Sequence, residues 1–167
     1  MVKLQAIIIG ALLACNIKAD LIAPNCPPPP PPSPCSTGTC PPTVTDNNIV
    51  YGYGNNLVGN LNTLTGSGNT VQGYVNTIAG NNNLNLGSYS TIVGSSNAAQ
   101  GNYNQIAGNL NGVIGSVNTV VGSANGVVGD YNGVSGDLNQ LVGSANLVNG
   151  SVNTVSGNLN TIANGNY

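Results

Sequence analysis

The chain has 167 residues, with two basic residues, four acidic ones, no histidine and a formal net charge of -2. Past Lys18 there is no Lys, Arg, His or Glu, and the carboxylates are Asp20, Asp46, Asp130 and Asp137, so the basic footprint that nucleic acid or an anionic membrane demands is missing. The same composition removes general acid–base and nucleophilic catalysis, because Ser or Thr needs a positioned base; the reading is a non-enzymatic chain that uses no cofactor and no metal.

Residues 1–19 read as a secretory signal peptide: a positive start at Lys3, an apolar run from Ala6 to Ala14, and a small residue at Ala19. Cleavage after Ala19 would give a secreted, extracellular chain starting at Asp20. A competing reading is a bacterial lipoprotein, since Leu12-Leu13-Ala14-Cys15 approaches a lipidation box. The run is short for a membrane span and no other segment is apolar enough for one.

Residues 20–48 read as a Pro/Cys-rich linker or cap. Asn25-Cys26-Pro27 through Pro32, Ser33-Pro34-Cys35 and Cys40-Pro41-Pro42 describe a stiff polyproline II spacer. Such a run is also a ligand for proline-reading domains, although a stalk is the plainer assignment. Cys26, Cys35 and Cys40 lack metal-type spacing; in an oxidising compartment two of them form a disulfide and one is left over, unless Cys15 survives processing.

Residues 49–167 are a heptad repeat. Glycine recurs every seventh residue from Gly52 to Gly157, and Asn stands three positions later in every heptad but that of Ser90. With glycine as the first slot, the sixth holds Leu57, Leu64, Val71, Ile78, Ile92, Ile106, Val113, Val120, Val127, Val134, Leu141, Val148, Val155 and Ile162, broken only by Asn85 and Ala99. A glycine in every heptad would cost a helix roughly 1 kcal/mol each, and the β-branched sixth slots speak against a coiled coil. As strand, the pattern places the Asn and the sixth-slot aliphatic on one side of an extended segment, both inward, with glycine at a corner and Ser116, Ser123, Asp130, Asp137, Ser144 or Ser151 completing a turn.

Alternate heptads differ. From Gly59 the third slot reads Leu61, Val75, Tyr89, Tyr103, Val117, Tyr131, Ala145 and Leu159, whereas from Gly52 it begins Gly54, Gly68, Asn82 and Ser96. Two heptads therefore make one coil, giving an all-β solenoid of about eight coils and roughly 38 Å at strand spacing. Identical side chains stack on themselves, so Asn55, Asn62, Asn69, Asn76, Asn83, Asn97, Asn104, Asn111, Asn118, Asn125, Asn132, Asn139, Asn146, Asn153 and Asn160 form an internal amide ladder. Neutral Asn stands where calcium-binding rolls carry Asp, which argues against a metal-loaded roll.

The outward fifth and seventh slots of the Gly59 series carry small hydroxyl and methyl groups: Thr63 with Thr65, Thr77 with Ala79, Thr91 with Val93, Thr119 with Val121, and Thr161 with Ala163. Gln105, Gly133 and Leu147 interrupt this rank, and the other face, with Gln72, Gln100, Leu84 and Leu86, is rougher. Thr is also simply a good residue for a solvated strand face. Ile114, Val121, Val128 and Val142 add an outward apolar stripe, which fits an oligomer interface or a weakly hydrated surface. The end of the chain, where Asn164 replaces the expected glycine, offers an open strand edge for end-to-end stacking. An Asn/Gly-rich chain that stays disordered alone is the remaining alternative, against which the strict register argues. Asn149-Gly150-Ser151 is the single glycosylation sequon, of a kind that an Asn/Gly/Ser-rich repeat produces by accident.

Written to end on glycine, the units read Ser116-Val-Asn-Thr-Val-Val-Gly122, Ser123-Ala-Asn-Gly-Val-Val-Gly129 and Ser151-Val-Asn-Thr-Val-Ser-Gly157. This x-x-Asn-x-Val-x-Gly heptad resembles that of the ice-recrystallisation-inhibition proteins of cold-hardy grasses over Gly52 to about Ala163. The resemblance implies a left-handed β-roll with an internal Asn ladder and a flat face that binds ice. The leucine-rich domain often found ahead of that roll has no counterpart in this sequence. More distantly, the repeat resembles the heads of trimeric autotransporter adhesins, where Ser or Ala fills the Asn slot. The expected partner is ice, or another repetitive solid or polymer such as chitin or cellulose; the alternative is a self-assembling extracellular structural or adhesive protein that pairs through its apolar stripe or open coil ends.

Overall fold

A computed structural model of the chain describes residues 43–45 and 47–163. The leader, Cys26, Cys35 and Cys40 lie outside the described residues. Within them the chain forms a β-solenoid of eighteen short strands in two sheets, and no helix is long and apolar enough to cross a membrane.

Sheet A contains β1 (Thr43–Thr45), β2 (Asn48–Tyr51), β4 (Thr63–Thr65), β6 (Thr77–Ala79), β8 (Thr91–Val93), β10 (Gln105–Ala107), β12 (Thr119–Val121), β14 (Gly133–Ser135), β16 (Leu147–Asn149) and β18 (Thr161–Ala163), hydrogen-bonded in that order. Sheet B contains β3 (Asn56–Val58), β5 (Thr70–Gln72), β7 (Leu84–Leu86), β9 (Ala98–Gln100), β11 (Gly112–Ile114), β13 (Gly126–Val128), β15 (Gln140–Val142) and β17 (Thr154–Ser156). From β2 onward, consecutive strands fall in opposite sheets, and each pairs in parallel with the strand fourteen residues away, as Thr119 with Gln105 and Gly133. Two heptads thus make one coil. Strand β1 differs, running antiparallel to β2 through a turn with Asn47 at φ 60° and covering the first edge of sheet A. It lies upstream of Ile49, in the stretch read from sequence as linker.

From β3 onward each strand is three residues long because only the fifth to seventh slots are extended. The sixth points inward, and Leu64, Ile78, Ile92, Ile106, Val120, Val134 and Val148 from sheet A meet Val71, Ala99, Val113, Val127, Leu141 and Val155 from sheet B in a core one side chain deep on each side. β-Branched residues suit this place, since their stiff χ1 packs well on a pleated surface.

The corners explain the glycine. A Cβ built on Gly115 would stand 2.0 Å from the carbonyl oxygen of Gly129 in the next coil, and its φ is +125°. The same collision recurs up the column, with Gly59 at 1.8 Å from Gly73 O and Gly129 at 1.9 Å from Gly143 O. A side chain here would force coils apart along the whole axis. A second requirement was not read from the sequence: every third slot is left-handed, including Leu61, Val75, Tyr89, Val117 and Val152 at φ between 58° and 62°. For β-branched residues this conformation costs on the order of 1–2 kcal/mol. Gly54, Gly68 and Asn82 were the signal for it. The strain is held by axial backbone bonds such as Val75 N to Asn60 O at 3.1 Å and Val117 N to Asn102 O at 2.9 Å.

Two substitutions of one kind separate these effects. Gly115→Ala should destabilise the roll by about 3 kcal/mol or more, whereas Gly133→Ala, which meets only the tip of Leu147 at 3.1 Å, should change stability by less than about 1 kcal/mol; urea unfolding followed by circular dichroism measures both. Val152→Asn relieves a left-handed valine that is 74% exposed and should raise stability by about 1 kcal/mol, read as an increase in Tm.

Candidate functional site: a ladder-backed face

The two outward faces are built alike and finished differently. On sheet A the fifth-slot row runs Thr63, Thr77, Thr91, Gln105, Thr119, Gly133, Leu147, Thr161, and the seventh-slot row Thr65, Ala79, Val93, Ala107, Val121, Ser135, Asn149, Ala163, each residue in register with the next. The rows are about 6.6 Å apart and about 34 Å long at ordinary strand geometry. All ten residues read from the sequence as a surface-binding rank stand on this one sheet. Thr77, Thr91, Thr119, Thr161, Thr65, Val93, Val121 and Ala163 are exposed, Thr63 and Ala79 half-buried. Ile49 and Tyr51 of β2 extend the rows by one strand, and the sequence reading passed over them because no glycine precedes Asn48 in register.

Sheet B presents Asn56, Thr70, Leu84, Ala98, Gly112, Gly126, Gln140 and Thr154 beside Val58, Gln72, Leu86, Gln100, Ile114, Val128, Val142 and Ser156. Large side chains are more frequent on this face, with Asn56, Leu84, Gln140, Gln72, Leu86 and Gln100 against Gln105, Leu147 and Asn149 on sheet A, and a groove of about 390 Å³ opens along it, lined by Val58, Gln72, Tyr74 and Leu86 among others. The apolar stripe expected from the seventh slots divides between faces: Ile114, Val128 and Val142 lie on sheet B, and Val121 lies on sheet A. Consecutive heptads belong to opposite sheets, so they cannot share a stripe.

The regular register of these rows is set from behind the face. The Asn column is two ladders, one at each corner. One runs Asn48, Asn62, Asn76, Ser90, Asn104, Asn118, Asn132, Asn146, Asn160; the other runs Asn55, Asn69, Asn83, Asn97, Asn111, Asn125, Asn139, Asn153. Asn48 is an addition to the residues read from sequence; it is 2% exposed and its Nδ2 donates to Gly59 O at 2.7 Å. Asn118 shows the full pattern. Its backbone N–H and Nδ2 donate to Asn104 Oδ1 at 3.1 and 3.2 Å, its Nδ2 also donates to Gly129 O at 2.9 Å, and its Oδ1 accepts from Asn132 N and Nδ2. Gly129 O is the carbonyl that a Cβ on Gly115 would strike. Glycine admits that carbonyl and the Asn three residues later bonds it, which gives the Gly-x-x-Asn spacing its physical cause.

A third, outer set of bonds runs the other way. Second-slot side chains accept from the corner N–H one coil earlier, as Asp130 Oδ1 from Ser116 N and Asp137 Oδ1 from Ser123 N, both at 2.6 Å, and Ser123 Oγ from Asn109 N at 3.4 Å. Asp130 and Asp137 therefore work as corner acceptors, at opposite corners of the roll.

Comparison with known families joins this geometry to a class of proteins: the family model described as Grass antifreeze beta roll matches residues 40–143, more than half of the chain. The chain belongs to the grass antifreeze β-roll family. A search of curated proteins returns no match. The antifreeze roll of this chain is thus an ice-binding scaffold by family, with the rows of sheet A and of sheet B as its two candidate surfaces.

The ladder and the outer corner bonds differ in weight, because the first are buried and the second wet. Asn118→Ala leaves Gly129 O without its amide donor and the Asn132 backbone N–H without its acceptor and should lower stability by about 3 kcal/mol, while Ser123→Ala should cost less than about 0.5 kcal/mol. Thermal unfolding of the two variants against the parent chain measures the difference.

Proposed function

We propose that the chain is a secreted inhibitor of ice recrystallisation whose binding surface is the outer face of sheet A, centred on Thr77, Ala79, Thr91, Val93, Thr119 and Val121. The observation that carries the reading is the pair of straight, in-register rows of small hydroxyl and methyl groups on that sheet. Ice offers water oxygens in flat, evenly spaced ranks. A rigid array repeating at strand spacing can hold its first water layer in a similar arrangement, and methyl groups between the hydroxyls leave that water weakly bound to protein and free to join the lattice. Adsorbed chains then pin the crystal boundary, and large crystals stop growing at the expense of small ones. Rigidity matters because order already present in the free face is not lost on binding. Nothing in this needs a charge, a cofactor or a bound metal. The leader over 1–19 and the Pro/Cys segment over 20–48 support export ahead of a roll that works outside the cell.

A second reading, self-association, is favoured by one feature. The corner leading from sheet B to sheet A carries an exposed apolar column, Leu61, Val75, Tyr89, Tyr103, Val117, Tyr131 and Leu159, within which the Tyr89 and Tyr103 rings stack at 4.9 Å. Apolar columns of this length often meet a partner. Sedimentation decides it: a concentration-dependent oligomer supports pairing through this corner, and a monomer at all concentrations counts against it.

The face assignment is tested by charge. Thr77→Lys and Thr91→Lys should each weaken inhibition of ice recrystallisation by about tenfold or more, equivalent to about 1.4 kcal/mol of binding, while Thr70→Lys and Thr154→Lys on sheet B should leave it within about twofold. Unchanged Tm values certify the fold. Loss of inhibition from the sheet B pair with retention in the sheet A pair would move the site to the other face.

A further inference from the structure

One coil and the coil above it depart from the repeat in three neighbouring places. Ser90 is the ladder position without an amide, Asn85 is the core position that has one, and Ala99, directly above Asn85 in sheet B, is the smallest residue of the aliphatic column. Asn85 and Ser90 are 0% and 1% exposed. Bonds connect them: Asn85 Nδ2 donates to Gly87 O at 3.2 Å, the same carbonyl takes Asn76 Nδ2 at 2.8 Å, and Asn76 Oδ1 accepts from Ser90 N at 2.9 Å. The amide missing from the ladder has in effect moved five residues back along the same coil, into the core.

The exchange is incomplete. Among the described residues, Asn85 Oδ1 is the buried side-chain polar atom with no hydrogen-bond partner. Turning the amide over does not help, because it would aim an oxygen at the Gly87 carbonyl and leave Nδ2 unbonded instead. Ser90 cannot give Gly101 O the amide bond that Asn104 gives Gly115 O and Asn76 gives Gly87 O. Its hydroxyl reaches Ser88 O only at 3.5 Å, while its Oγ accepts from Asn104 N at 3.2 Å. A buried amide oxygen left unbonded costs on the order of 1–3 kcal/mol, and a serine where an amide stood, beside an alanine where a valine stood, frees about the volume of one water molecule.

We propose that this coil binds one structural water inside the roll, donating to Asn85 Oδ1 and to Gly101 O and accepting from the Ser90 hydroxyl. The water replaces the absent ladder amide and carries the hydrogen-bond column past Ser90. Three polar partners and a space shaped by Ala99 meet the requirements of an ordered internal water. The site is separate from the outer face of sheet A and holds whether or not that face binds ice.

The experiment is water–protein ROE spectroscopy on the ¹⁵N-labelled chain, with an atomic-resolution crystal structure as the second measurement. The expected result is a long-lived water cross-peak at the Asn85 δ-amide and density within hydrogen-bond distance of Asn85 Oδ1. In the variant Asn85→Val combined with Ser90→Asn, which restores both columns, cross-peak and density should vanish. A dry site in the parent chain overturns the proposal without recourse to any variant. A water that persists unchanged in the double variant overturns the assignment to Asn85.

Discussion

The close passage of one coil's glycine over the carbonyl of the next is the constraint from which the rest of this molecule follows. Where Gly115 faces Gly129 O at a distance no Cβ tolerates, Asn118 Nδ2 bonds that same oxygen at 2.9 Å. Steric permission and hydrogen bonding are thus two halves of one device, repeated at both corners of every full coil except where Ser90 stands in the ladder. Because the device fixes the axial rise, it also fixes the register of the strands between corners, and the outer rows of sheet A inherit a regularity that their own residues do not have to supply.

This explains how a chain with so little apolar bulk can hold a rigid surface. The core is a single layer of Val, Leu and Ile from each sheet, and most of the interior polarity is amide bonded to amide. Buried amides are favourable only when fully partnered, and a stack of identical amides partners each member with the next. Tolerance follows the same logic. The outer face accepts Gln105, Gly133, Leu147 and Asn149 without a change of register, whereas the inner columns admit exceptions only together, as at Asn85, Ser90 and Ala99.

Much of the fold was legible in the sequence because each slot has one physical role and is repeated sixteen times. Glycine at the first slot, Asn at the fourth and an aliphatic at the sixth identify corner, ladder and core, and the alternation of third-slot residues gives the two-heptad coil. What escaped the sequence reading lies where identity and geometry decouple. Left-handed backbone at Val75 and Val117 is invisible in residues that ordinarily avoid it, since the axial bonds and not local preference impose it. Asn48 was missed for lack of a glycine ahead of it, and β1 because an antiparallel cap belongs to no repeat. The outward rows were legible as a pattern, but only the pairing of β4, β6, β8 and β12 in one sheet separates Val121 from Ile114 and Val128.

The roll depends most directly on the buried state of the ladder amides, and hydrogen exchange of Asn side chains reads that state one residue at a time. The δ-amide protons of Asn62, Asn76, Asn118 and Asn125 should exchange as slowly as the backbone amides of the strands, while those of Asn102 and Asn109, exposed at the corners, should exchange at nearly the rate of a free amide. Equal, fast exchange for both groups would contradict the two-ladder roll.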